Sequence, residues 1–357
     1  MVLSQVGLVA LVALVGGALG ATLGANRALV LAGVAIVVGE LARWLDVGPE
    51  ALAETFGVAI PPLDAAGMTG TVGFGVLGPH VAFAGGVAAA ATLGRREVLD
   101  SSFEYHQAKC LTAPLYDRPR ALVVGGVFGL LGVFLAGLVA TLAIPLDPVA
   151  FAVVVSALVH RLVFGYPLIA RRRTTPNGLL DMSPYDADDR WGDGGYETQQ
   201  GIAGRRVVEV WQPSYYALST VVALGIAAGL VSAAIGFVFE SAFLAFGLAL
   251  AALGLVYVDD AVSVDLSEIP ALYHVALPAS IATLAMGTGE PAVALAVGTV
   301  FGLVGALVGE LAQRVVYAHA DTHFDPGFLS LLVTSLLVGG LVAAGVFDAS
   351  AVPYPTP

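Results

Sequence analysis

Apolar runs of membrane-spanning length follow one another along almost the whole chain, separated by short polar breaks and one long one. A helix needs about 20 apolar residues to cross the hydrocarbon core of a bilayer. Hydropathy predicts such helices near 3–24, 28–44, 77–94, 120–144 and 147–170, then near 216–239, 241–258, 270–287, 291–317 and 327–346. The expected class is an all-α polytopic membrane protein with about ten transmembrane helices. The first run, Val2 to Leu23, lacks the basic start of a signal peptide, so it is expected to persist as a helix.

The pattern repeats. His80-Val81-Ala82-Phe83, the stretch Gly125 to Gly132, and Asp147-Pro148 recur in the same order as His274-Val275-Ala276-Leu277, Gly298 to Gly305, and Asp325-Pro326. Five spans per copy is an odd number, so the second copy must enter the membrane from the opposite side. That makes the expected duplication an inverted-topology one, as in many transporters. The expected units are a five-helix repeat over 1–170 carrying a polar cytoplasmic insertion at 95–119, a cytoplasmic linker at 171–215, a second five-helix repeat over 216–346, and an extracytoplasmic tail at 347–357.

Charge supports this topology independently, because lysine and arginine favour the cytoplasmic side. With the linker inside, thirteen of the fifteen basic residues are cytoplasmic; Arg43 lies outside and Arg161 within a span. Both termini are then expected outside a cell membrane crossed many times. A net charge of −12 with only one lysine, Lys109, fits adaptation to concentrated salt, and a halophilic archaeon is the expected source.

Composition also excludes classes of function. Hydrophobic residues make up 58% of the chain and charged ones 12%, and no basic nucleic-acid footprint is present. The single Cys110 rules out an intrachain disulfide and a cysteine-clustered metal site. Lys109 lies in a polar loop, which removes the intramembrane lysine a retinal Schiff base requires. No Walker phosphate loop, GxSxG elbow or HExxH pair occurs. The stretch Asp186 to Glu197 mimics a calcium loop at its first, third and twelfth positions, but Arg190 and Trp191 replace an oxygen ligand and the turn glycine. The run Pro291–Gly298 resembles chloride-channel sequences over a few small residues, without that family's surrounding motifs, and no assignment follows from it.

Three groups of residues carry candidate chemistry. Glycines punctuate Ala65 to Pro79 just ahead of His80, and glycine lets backbone leave the helix and approach a ligand. A broken or re-entrant helix there would be tolerated only inside protein or along a cavity. The expected substrate pathway is Gly75, Gly78, Pro79 and His80 with His274 and Pro278, the two histidines holding matched positions in the copies. Gly125, Gly129 and Gly132, and likewise Gly298, Gly302 and Gly305, are spaced for close helix packing at the repeat interface.

The third group is His319, Asp321, His323 and Asp325, the densest set of metal-type ligands in the chain. It falls where the second copy has gained five residues: Asp325 follows Gly298 by 27, whereas Asp147 follows Gly125 by 22. Arg161 and His160 are expected to be interface residues, Arg161 lying near enough to its span end to snorkel. These features point to a permease of a small molecule or ion, working by alternating access in the lipid bilayer without ATP hydrolysis. The alternatives are a membrane enzyme using a divalent metal at the third group and a scaffold subunit without chemistry.

Overall fold

The computed structural model describes residues 2–46, 65–96, 103–170, 178–193, 203–213, 215–257 and 269–356. Among these the chain is helical and forms no β-strand, only an isolated antiparallel bridge between Arg190 and Arg206. The first half contains α1 (Val2–Leu23), α2 (Ala25–Trp44), α3 (Ala84–Arg96), α4 (Pro119–Thr141) and α5 (Pro148–Phe164). The second contains α6 (Leu218–Phe239), α7 (Leu244–Ala252), α8 (Tyr273–Ala285), α9 (Pro291–Ala312) and α10 (Pro326–Ala343).

Seven of the described helical stretches are long and apolar enough to cross a membrane, fewer than the ten expected. The other three apolar helices are shorter: α5, α8, and α7 with its 3-10 extension to Tyr257. Hydropathy overestimates them because it counts apolar residues lying beyond the caps. At α5 the expected span ran to 170, but Gly165 takes the left-handed conformation (φ 74°) and Tyr166 N–H donates to the Arg161 carbonyl. That closing pattern satisfies the last carbonyls and ends the helix. Large apolar side chains remain exposed along α1 (Val6, Leu8, Val9, Leu11, Val15) and on α4 and α6, among them Phe134 and Val238. A row of such residues along a helix is costly in water and suits lipid, as in a multi-pass membrane protein.

The glycine-rich stretch before His80 departs from ordinary helix. It is π-helical over Ala65–Val76, breaks at Leu77-Gly78, resumes as a π-turn at Pro79–Phe83 and then becomes α3. Gly78 sits at the break because a Cβ there would lie 2.1 Å from the Phe74 carbonyl oxygen. The span therefore begins near Gly67 and not near 77 as hydropathy suggested. The corresponding stretch ahead of His274 falls in 258–268, outside the described residues.

Each half has the same internal packing. In the first, α1 lies on α3 and α4, and α4 on α5; in the second, α6 lies on α8 and α9, and α9 on α10. The glycine motifs make these contacts possible, since a Cβ on Gly125 would lie 2.6 Å from the Gly17 carbonyl oxygen and one on Gly302 only 2.5 Å from Gly229 Cα. They pack helices within a half, not between the halves as expected. The halves meet instead where α2 lies on α7 and α5 on α10.

Both of those pairs are antiparallel. At one end of α2, Arg27 stacks over the Tyr257 ring at 4.8 Å, and at the other Arg43 donates to the carbonyls of Phe239 and Glu240, just ahead of α7. The start of α5 meets the second half of α10, with Asp147 N–H donating to Ser335 Oγ. Its end meets the segment before α10, where His160 Nε2 lies 3.1 Å from Thr322 Oγ1. Asp147 and Asp325 cap α5 and α10 in the same way, each accepting from the backbone N–H three residues on.

The two polar loops are structural parts of the fold. The described part of the 171–215 linker, expected to be a solvated joint, buries Met182, Trp191, Val207, Val208 and Val210 against Ala318. Hydrogen bonds clamp it to the 95–119 insertion: Arg205 donates to the Phe103 and Tyr105 carbonyls, and Arg206 N–H to that of Glu104. The pairing of Glu104 with Arg190 and Arg206 holds its carboxyl below the usual range.

Candidate functional site

A cavity of about 330 Å³ lies where four helix ends converge beneath the two loops. Asn26 and Leu29 from the start of α2 face it, as do Leu253 and Val256 after α7, and Tyr273 at the start of α8. Tyr317, His323 and Asp325 come from the segment joining α9 to α10. The 95–119 insertion adds Phe103, Tyr105 and Lys109, and the linker adds Trp211 and Gln212. Both halves of the chain and both loops therefore build one site, at the upper end of which the loops form a roof.

The roof is held by the chain's one lysine. Lys109 is buried and its ammonium lies 2.6 Å from Glu209 Oε2, donates to the Tyr317 carbonyl at 2.8 Å, and sits 4.0 Å from the Tyr317 ring centroid. Glu209 Oε1 also accepts from His106 N–H. Burial pushes the Glu209 carboxyl up and the Lys109 ammonium down, each opposed by the other's charge. Such a pair gives little net stability, but losing one partner strands the other in a dry place.

The floor is a polar trio on the N-terminus of α10. Asp325 Oδ1 accepts from Tyr273 Oη at 2.6 Å and from Phe328 N–H at 2.8 Å, and Oδ2 lies 3.2 Å from His323 Nε2. The helix N-terminus favours a negative group in that position. Desolvation holds the His323 imidazole below its usual range, opposed by its hydrogen bond to Asp325.

A second, small cavity of about 10 Å³ shares Phe83, His323 and Asp325 with the first and is also lined by Ser156 and His160 of α5. Ser156 Oγ has no protein hydrogen-bond partner there among the described residues.

The expected metal set does not assemble. Among the described residues no group of three or more His, Cys, Asp or Glu side chains could hold a metal ion. Asp325 caps α10 and meets Tyr273 and His323 instead of further ligand side chains, and the loop is held by another residue altogether. Arg161, expected at the interface, is fully buried and donates to Thr322 Oγ1 and to the carbonyls of Thr322, Val316 and Leu168.

The expected pathway residues lie elsewhere as well. Gly75, Gly78, Pro79, His80, His274 and Pro278 line neither of these two cavities. Among the described residues His80 is buried with its Nδ1 unpartnered, and His274 is fully buried with both ring nitrogens unpartnered, enclosed by the Trp211, Tyr215 and Tyr273 rings. Their carbonyl sides do match, since Gly132 faces the His80 carbonyl and Gly305 that of His274. In the sequence, the signals of the site are His323 and Asp325 in the expected ligand group, and the 95–119 insertion, which supplies part of its wall.

A family model matches residues 1–355, nearly the full length of the chain. The chain belongs to the family of unknown function DUF7973. No curated protein and no solved structure matches it. The reading of the site therefore rests on its own geometry: a family defined over the whole chain includes the two loops that roof the cavity as well as the helices beneath them.

Proposed function

We propose that the chain is a membrane carrier for a small solute, built as two inverted five-helix units and working without ATP hydrolysis by exposing the cavity alternately to the two membrane faces. The observation that carries this reading is the cavity itself, which is lined by both halves and bordered by Asp325, a residue it shares with a small cavity lined by Ser156, halfway along α5. Midplane sites between inverted units, with a helix N-terminus at the site, are what alternating access uses. Two features of the packing support the inversion. The helices that meet across the halves, α2 with α7 and α5 with α10, hold matching places in the two sets and run antiparallel. Each half also repeats the contacts of the other. The metal-enzyme alternative has no ligand group among the described residues.

Reconstitution tests this. Vesicles containing the purified chain, challenged osmotically with small organic cations, zwitterions, anions and neutral solutes in turn, should admit one class faster than protein-free vesicles. Asp325→Asn should slow that flux at least tenfold. Permeabilities equal to those of empty vesicles for every class would remove the carrier reading.

A further inference from the structure

Asp325 is 4% exposed, and its hydrogen-bond partners are a tyrosine hydroxyl, a backbone N–H and the His323 imidazole. No lysine or arginine pairs with it among the described residues, although Lys109 lines the same cavity, because the Lys109 ammonium is held by Glu209. A buried carboxylate ordinarily has a cationic partner. Here the carboxylate lines the cavity instead.

The rest of the lining says what kind of cation fits. Phe83, Phe103, Tyr105, Trp211, Tyr273 and Tyr317 make six of the nineteen lining residues, in a chain that is 8% aromatic. Aromatic faces are electron-rich and attract cations, most strongly where water is excluded, and they favour cations with an apolar skin over hydrated metal ions. Lys109 already demonstrates the interaction, its ammonium lying 4.0 Å from the Tyr317 centroid. An anion would meet Asp325 and these rings with only Lys109, already paired with Glu209, in its favour.

We propose that the cavity binds a small ligand with an alkylammonium head, seated against the aromatic faces and paired with Asp325. The proposal deepens the carrier reading by naming its substrate class, but binding can be read without flux. The volume of about 330 Å³ suits a ligand of this size. Choline and tetramethylammonium serve as probes, with 3,3-dimethyl-1-butanol as the uncharged isostere of choline and butyrate as an anion of similar bulk.

Calorimetry on the purified full-length chain should show saturable choline binding, at least tenfold tighter than the neutral isostere and with no butyrate binding. Trp211→Leu should weaken choline at least fivefold and leave the isostere unchanged, while Trp211→Phe, which keeps a ring in place, should restore most of the affinity. Asp325→Asn should weaken choline and tetramethylammonium alike. Equal binding of choline and its isostere, preferential butyrate binding, or unaltered choline affinity in a folded Trp211→Leu chain would each overturn the proposal. Choline binding without flux in vesicles would refute the carrier and leave the ligand class standing; flux of another class without choline binding would do the reverse.

Discussion

Replacing Arg161 by methionine is expected to destabilise the chain by about 3–5 kcal/mol, because four hydrogen bonds from a buried charged group are lost together. Methionine fills much of the same volume, so the loss is one of polar partners and not of packing. The guanidinium joins α5 to the loop before α10 through Thr322 and Val316, and lies 5.0 Å from the Phe324 ring centroid. Without it the carbonyls of Val316, Thr322 and Leu168 keep no equivalent donor, and the loop that places His323 and Asp325 loosens. Thermal unfolding of the detergent-solubilised protein measures this. A methionine variant within about 1 kcal/mol of the parent would mean that water or lipid headgroups satisfy these carbonyls, which fits an interface residue and not a buried one.

The second large effect concerns the paired glycine motifs. A Cβ on Gly132 would lie 1.6 Å from the His80 carbonyl oxygen, and one on Gly305 would lie 2.3 Å from that of His274. Both obstacles are backbone, which cannot swing aside as a side chain would, so a single methyl group must push two helices apart. Gly132→Ala and Gly305→Ala should each cost about 1–3 kcal/mol or more, with Gly132→Ala the worse. Gly137 and Gly340 lie in the same pair of units, on α4 and α10, and a Cβ added to either would meet nothing within 4 Å. Alanine at those sites should be neutral or stabilise by up to about 1 kcal/mol through helix propensity. If all four substitutions behave alike in thermal unfolding, the close packing is wrong.

The two effects also divide what the sequence reveals from what it hides. Helices and their glycine faces are legible because period and residue size act locally. Gly125, Gly129 and Gly132 had to be small whatever they packed against, although which helix they meet depends on the tertiary fold. The lengths of α5, α8 and α7 were misjudged because apolar content persists past the capping residue, and Gly165 ends α5 through its left-handed backbone, not through polarity. The glycines over Ala65 to Pro79 raise a broken or re-entrant helix against a plain loop without saying where a break would fall, and the structure puts it at Leu77-Gly78. The π-helix before it is held by packing against α2.

The site was the least legible part, for a physical reason. A lysine in a polar insertion and a glutamate in a linker read as solvated groups, and nothing in either local sequence says that 100 residues apart they will meet and be buried. Arg161 misled in the same way, because its partners are backbone carbonyls, which carry no signature in the sequence. His323 and Asp325 were picked out as ligands, and they do lie at the floor of the cavity, but with Tyr273 in place of a metal ion.

Two-sided access is the property that separates a carrier from an enzyme or a scaffold, and Ser156 is the residue to report it. It lies eight residues into the 17-residue α5, about 12 Å from either end of that helix at 1.5 Å per residue, and it lines the small cavity that Asp325 also borders. Ser156→Cys in a Cys110→Ala background should react with a membrane-impermeant thiol reagent added to right-side-out vesicles and, separately, to inside-out vesicles, at rates well above those for a cysteine placed on a lipid-facing position of α1. Reaction from only one face, or from neither, would contradict alternating access.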